Sequence, residues 1–151
     1  MSRADVRDVV AIERDSYALP WSAATFRALL QRRNTLLRVA EDRRGVAGYA
    51  VLWLAAEEAE LGNLAVRPGR RQRGIGRLLL QHVLEEAAAR GARAIFLEVR
   101  ESNSVALRLY EGAGFRVVGT RPDYYASPRE AALVMRLDRV GCSLTSPPGG
   151  R

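Results

Sequence analysis

The chain has 151 residues, 48% hydrophobic and 27% charged, which suits one soluble domain with a sizeable core. No apolar run is long enough to cross a bilayer as a helix, Met1-Ser2-Arg3-Ala4-Asp5 lacks a secretory layout, and the one cysteine, Cys142, excludes an internal disulfide, so a cytoplasmic location is expected. The net charge is +7 and all 24 basic residues are arginine, which reads either as an affinity for polyanions or as the codon bias of a GC-rich genome.

In chain order, Val6, Val9 and Val10 space at helical intervals and predict a helix over 5–17, with Glu13 and Arg14 facing solvent. Leu19-Pro20-Trp21-Ser22 interrupts it, since proline disfavours helix at the residue before it. Ser22 is a plausible N-cap for a second helix carrying Phe26, Leu29 and Leu30 on one face. Leu36–Glu41 reads as a strand, Asp42-Arg43-Arg44-Gly45 as a hairpin turn and Val46–Leu54 as its return. A further strand ends at Leu64-Ala65-Val66, and Pro68 and Gly69 close it. After an arginine-glycine turn, Ile75, Leu79, Val83 and Ala87 recur every four residues up to Arg90, with Gly91 where a C-cap glycine belongs. Ala94–Leu97 is a continuous apolar run, as in a strand buried on both faces. Strand, helix, strand at this spacing predicts a βαβ unit with parallel strands. Ser102 can cap another helix, running to Tyr110 and stopped at Gly112 and Gly114. Phe115–Thr120 and Leu133–Leu137 read as the last strands. The expected architecture is a single α/β domain over 1–139, a mixed central sheet flanked by helices. The tail 140–151 is rich in serine, proline and glycine and is expected to be disordered.

Ligands of such sheets gather beyond the carboxyl ends of parallel strands. Three features are expected at that edge. The first is the turn Arg71-Gln72-Arg73-Gly74-Ile75-Gly76, where a helix start leaves N–H groups unpaired, two glycines allow close approach, and Arg71, Arg73 and Arg77 add positive charge. This suits a pyrophosphate. The turn is neither a P-loop, having no Lys-Ser or Lys-Thr pair, nor a good dinucleotide fingerprint, lacking the third glycine. Its plainer reading is a glycine helix entry with solvated arginines. The second feature is Glu98, late in an apolar strand. A carboxylate there costs desolvation unless it has a task or a partner, and it reads either as a general base or as half of an ion pair with an arginine. The third is the helix start Ser102-Asn103. Asn103 and Tyr110 lie seven residues apart on one helical face, roughly 10 Å of rise. Asn103 reads as a cap or a ligand contact, and Tyr110 as a packing residue or a proton donor. His82 reads as an ordinary helix residue, Cys142 has no base nearby in sequence, and no metal-ligand spacing or serine triad is present.

Taken together, Arg71–Gly76 resembles the Gln/Arg-x-x-Gly-x-Gly/Ala pattern of the GCN5-related N-acetyltransferase (GNAT) superfamily, and the resemblance runs from about Asp5 to Leu137. More narrowly, Leu19-Pro20-Trp21-Ser22, Leu97-Glu98-Val99-Arg100 with Ser102-Asn103, Leu109-Tyr110-Glu111-Gly112-Ala113-Gly114-Phe115 and Arg121-Pro122-Asp123-Tyr124-Tyr125 are similar to the bacterial ribosomal-protein-alanine N-acetyltransferases. The resemblance implies acetyl-coenzyme A as co-substrate and no metal. It implies that Leu64, Ala65 and Val66 offer backbone groups to the pantetheine arm, that Gln72, Arg73, Gly74, Ile75, Gly76 and Arg77 hold the pyrophosphate, and that Asn103 contacts the cofactor. Glu98 would be the general base, Tyr110 the general acid, and Tyr124 and Tyr125 would line the acceptor site. The implied acceptor is a protein N-terminus, that of alanine in ribosomal protein bS18, with neither nucleic acid nor membrane as a direct partner. The resemblance also implies a short strand before the first helix, for which only Met1–Ala4 are present. Two other readings stay open: an acetyltransferase for lysine side chains or a small-molecule amine, and a basic nucleic-acid module supported by charge alone.

Overall fold

The structure, a computed structural model, describes residues 1–126 and 129–138. The tail 140–151 and Cys142 lie outside the described residues. Six strands form one mixed sheet with helices around it, the class expected. The strands are β1 (Thr35–Asp42), β2 (Gly45–Ala55), β3 (Glu58–Val66), β4 (Ala94–Arg100), β5 (Arg116–Ala126) and β6 (Arg129–Asp138), in the order β1-β2-β3-β4-β6-β5. The helices are α1 (Val6–Ser16), α2 (Ala23–Leu30), α3 (Ile75–Ala89) and α4 (Ser104–Gly112). The chain separates into two compact units. One comprises Met1–Trp53 and Leu61–Val83; the other comprises Leu54–Glu60 and the chain from Leu84 onward.

In the first unit, Arg3–Asp5 form a turn of 3-10 helix directly ahead of α1. Asp5 accepts from both the backbone N–H and the hydroxyl of Ser2, which closes a capping box and commits these residues to a helix entry. Val6, Val9, Val10 and Ile12 of α1 pack with Phe26, Leu29, Leu37, Tyr49 and Val51 into one core cluster. Ser22 caps α2 as expected, its hydroxyl accepting from the Thr25 N–H at 3.2 Å. The β1–β2 hairpin is antiparallel, with Leu37 opposite Val51 and Val39 opposite Tyr49, and Asp42 accepts from the Arg44 N–H across the turn. Gly48 on β2 lies so close to β3 that a Cβ there would sit 2.8 Å from the Ala65 carbonyl oxygen. Glycine is required at that point by close backbone approach.

In the second unit, β6 runs antiparallel to both β4 and β5. The final strands are longer than the apolar runs alone predict: the ladder continues through Arg121 opposite Ala132, Tyr125 opposite Glu130 and Ala126 opposite Arg129, with Arg100 paired to Glu130 there. At the other end Arg116 and Arg136 both pair with Asp138. On β4 burial alternates rather than being continuous: Ile95, Leu97 and Val99 are buried, whereas Phe96 and Glu98 are half-buried. The Arg136 guanidinium stands 5.0 Å from the Phe96 ring centre, so a cation covers the face expected to be core.

Candidate active site

The turn between β3 and α3 carries the backbone geometry an anion needs. Gln72 and Gly74 both adopt left-handed backbone, with φ of +63° and +80°. Left-handed residues alternating with others turn successive N–H groups toward one side, forming a concave anion cradle. Helix α3 begins at Ile75, so its first N–H groups, including those of Ile75, Gly76 and Arg77, lack intrahelical partners. Arg73 and Arg77 are exposed there, and a Cβ on Gly74 would meet open space. Arg71 is used differently. Its Nε donates to the Val66 carbonyl at 3.0 Å, which ties the turn to the end of β3.

Leu64, Ala65 and Val66 end β3. Only Ala65 is buried; the other two are half-buried. The Tyr17 hydroxyl lies 3.2 Å from the Leu64 carbonyl and 3.3 Å from its N–H, so one phenol spans both backbone groups of that residue. Behind it is a buried polar cluster. Glu13, expected to face solvent, is 1% exposed. Its carboxylate accepts from the Tyr49 hydroxyl, from the Asn63 amide at 3.1 Å and from the Trp21 N–H at 3.0 Å. Burial, then the charges of Tyr17 and Glu13, push the Tyr49 phenol far above its ordinary range, so it stays protonated as a donor. The cluster fastens the loop between α1 and α2 to β2 and β3.

In the second unit Glu98 occupies β4 opposite Val134. Its side chain is 18% exposed and is held from two directions. The Arg121 Nε lies 3.1 Å from Oε1, and the Tyr124 phenol donates to the same carboxylate. The Arg121 contact is an ion pair of the kind that one of the two readings of Glu98 expected. The hydrogen bond to Glu98, with burial, moves Tyr124 up to about 12. Tyr125 is also raised, first by burial and then by the Glu98 charge. The rings of Tyr124 and Tyr125 meet edge to face at 5.0 Å, and the Arg100 guanidinium lies 4.1 Å over Tyr125.

A kink in β5 produces this grouping. Arg121 pairs with Ala132 and Tyr125 with Glu130, so Pro122, Asp123 and Tyr124 oppose one residue of β6. Pro122 cannot donate to the ladder, and Asp123 has φ of +53°. Strict strand alternation would send Arg121 and Tyr124 to opposite faces. The extra residues let both reach Glu98.

The cap of α4 is Asn103, one residue later than Ser102. Its Oδ1 accepts from the Ala106 N–H at 3.1 Å, while the Ser102 N–H is taken by Glu130 and held outside the helix. The cap leaves the Asn103 amide group as the part that can face a ligand. Tyr110 is 8% exposed and packs against Phe115, ring centres 5.8 Å apart. Burial, then Tyr125, raises it to about 12, so its phenol keeps its proton throughout the neutral range.

Sequence reasoning assigned no role to Arg121, Tyr17, Tyr49 or Asn63, and misplaced Glu13. For Glu13 the signal was present: it lies seven, four and three residues from Val6, Val9 and Val10, which places it on the buried stripe. Among the described residues, no group of three or more His, Cys, Asp or Glu side chains is placed to hold a metal ion, and no helix is long and apolar enough to cross a membrane.

Comparison with known proteins follows the same lines. A family model described as the acetyltransferase (GNAT) family matches residues 6–115, a segment that runs through both units. The ribosomal protein bS18-alanine N-acetyltransferase of Salmonella typhimurium is 38% identical over 139 residues, covering 91% of this chain and 93% of its own. Its counterpart in Escherichia coli K12 is 37% identical over 128 residues, with 83% and 86% covered. The crystal structure of the E. coli ribosomal-protein-S18-alanine N-acetyltransferase superposes with a TM-score of 0.84 at 35% identity, over 92% of this chain and 90% of that one.

Proposed function

The chain belongs to the acetyltransferase (GNAT) family, and from that premise we propose that it transfers the acetyl group of acetyl-coenzyme A to the α-amine of a protein N-terminus, that of alanine in ribosomal protein bS18. The names of the relatives support the acceptor. The observation that carries the chemistry is the half-buried Glu98 carboxylate, held beside Tyr124 and Tyr125. The proposal treats 1–139 as one catalytic domain working in the cytoplasm.

Acetyl-coenzyme A supplies the activated acyl thioester. In this reading Gln72 to Arg77 bind its pyrophosphate through backbone N–H groups and the Arg73 and Arg77 charges, the left-handed turn at Gln72 and Gly74 being the fitting observation. Ala65 and Val66 supply backbone groups along β3, and the Val66 N–H is the donor expected for the developing oxyanion. Leu64 contributes less, since Tyr17 spans its backbone. Asn103 offers its amide at the start of α4. Glu98 accepts the proton of the attacking amine, and Tyr110 donates to the departing thiolate. An α-amine titrates at about 7.7–8.0 against about 10.4 for lysine, so a carboxylate base is adequate for the former.

The test is a mass-spectrometric assay of acetylation on peptides with a free N-terminal alanine against peptides whose amine is an internal lysine. Modification of the α-amine is expected. Acetylation confined to lysine would replace this reading with that of a lysine acetyltransferase. Two variants probe the parts. Gly76→Glu places a carboxylate at the anion cradle and is expected to weaken coenzyme A binding roughly tenfold or more, read by calorimetry; unaltered affinity would move the phosphates elsewhere. Tyr110→Phe keeps the ring against Phe115 and removes the proton, and is expected to lower turnover about 10²-fold. A wild-type rate would make Tyr110 a packing residue only.

A further inference from the structure

Glu98 already has a cation on it. The Arg121 Nε lies 3.1 Å from one carboxylate oxygen, the guanidinium also stands 5.9 Å from the Tyr124 ring centre, and the arginine side chain is 60% exposed while that of Glu98 is 18% exposed. The cation thus reaches in from solvent to a half-buried anion. A guanidinium cannot be deprotonated in a protein, so this contact occupies the carboxylate without any proton being exchanged. The arginine end of the pair stands in solvent, where screening and side-chain freedom weaken an ion pair, and a weak pair is cheap to exchange. Tyr124 does not compete for the same purpose: its phenol is neutral, raised to about 12, and stays on Glu98 as a hydrogen-bond donor.

We propose that Arg121 is a resident stand-in for the acceptor's ammonium group, displaced when a free N-terminus binds Glu98 and restored after acetylation. The inference rests on Glu98 being the carboxylate that meets the acceptor. It gives Arg121 a role in specificity. Only an acceptor bringing its own positive charge replaces the guanidinium without leaving Glu98 unpaired. Acetylation forms the N–C bond and breaks the thioester C–S bond; of the two protons the ammonium loses, one goes to the departing thiolate and one passes through Glu98 to solvent, so the neutral amide no longer holds Arg121 off the restored carboxylate and the return of the arginine favours product release. The kink of β5 serves the exchange, because Arg121 keeps its ladder position opposite Ala132 while the irregularity that follows at Pro122 and the left-handed Asp123, itself tied to Arg129 at 3.4 Å, brings Tyr124 to the same carboxylate.

The experiment titrates the full chain, saturated with coenzyme A, with a peptide bearing a free N-terminal alanine and with the same peptide N-acetylated. Arg121→Gln is expected to tighten the free-amine peptide about two- to fivefold and to leave the acetylated one unchanged. Arg121→Lys keeps a cation and is expected to bind as the wild type does. In a Glu98→Gln background the Arg121→Gln effect is expected to vanish. The proposal is overturned if Arg121→Gln leaves peptide affinity unchanged or weakens it. It is equally overturned if the tightening persists without Glu98 or extends to the acetylated peptide. Turnover of Glu98→Gln alone reports on the base, so a failure of the general-base reading shows separately.

Discussion

Glu98→Gln is expected to lower turnover by about 10²–10⁴-fold while coenzyme A affinity stays within about twofold. Glutamine has the same shape and keeps an oxygen to accept from the Tyr124 phenol. What it loses is the negative charge and the capacity to take a proton. The lost ion pair with Arg121 matters little for folding, because that arginine is 60% exposed and such pairs contribute little net stability. The variant therefore separates chemistry from structure. The size of the effect follows from the acceptor. An α-ammonium at about 7.7–8.0 is close to half deprotonated in mildly alkaline buffer, whereas lysine at about 10.4 would need roughly 3 kcal/mol more at the same pH. Raising the pH should accordingly recover part of the Glu98→Gln rate on an α-amine peptide, since solution then removes the proton. Steady-state rates at saturating donor and peptide, from about pH 6.5 to 9, make the measurement. A rate equal to wild type at pH 6.5 would take Glu98 out of the proton path.

The turn before α3 was legible from residue identity as a glycine-bearing helix entry, because glycines and an apolar recurrence after them declare a helix start locally. Helix α3 and its cap at Gly91, φ +94°, were equally readable from a four-residue apolar recurrence. The Glu98 site was legible only in part. Its carboxylate and the Tyr124-Tyr125 pair could be named, but their meeting depends on an irregularity of β5 that places three residues opposite one. Pro122 marks such a break without saying which side chains it re-aims. The length of β5 and β6 escaped for a related reason. The part that escaped, 121–126 against 129–132, is polar and carries ion pairs such as Arg100–Glu130 and Arg129–Asp123, and charged residues outside an apolar run read as loop. Asn103 and Ser102 compete as caps, and Glu130, distant in sequence, decides between them by taking the Ser102 N–H.

Glu13→Ala is expected to be among the most destabilising single changes in the first unit, costing about 3–5 kcal/mol. A glutamate on a helix surface would cost nothing comparable. Here the side chain is 1% exposed and is the shared acceptor for the Tyr49 hydroxyl, the Asn63 amide and the Trp21 N–H. Alanine leaves three donors facing a cavity, and each unmet buried donor costs about 1–3 kcal/mol. At this chain length the melting temperature should fall by roughly 10 °C or more. Glu13→Gln keeps one acceptor oxygen but turns an amide toward the remaining donors, so its loss should be smaller and still measurable. Tyr49 adds a pH signature. Its pKa is raised in the fold by burial and by the Tyr17 and Glu13 charges, against a value of 10.0 when unfolded. The folded chain then holds a proton that the unfolded chain releases, so the stabilisation is complete below pH 10 and is lost as pH rises beyond it. Removing Glu13 takes away one cause of that rise and should flatten the alkaline decline, burial keeping the rest. Thermal melts of wild type, Glu13→Gln and Glu13→Ala at pH 7.5 and 10.5 test both parts. A Glu13→Ala melt within about 2 °C of wild type at pH 7.5 would mean that the loop after α1 holds its place on β2 and β3 through the Trp21, Phe26 and Trp53 contacts alone.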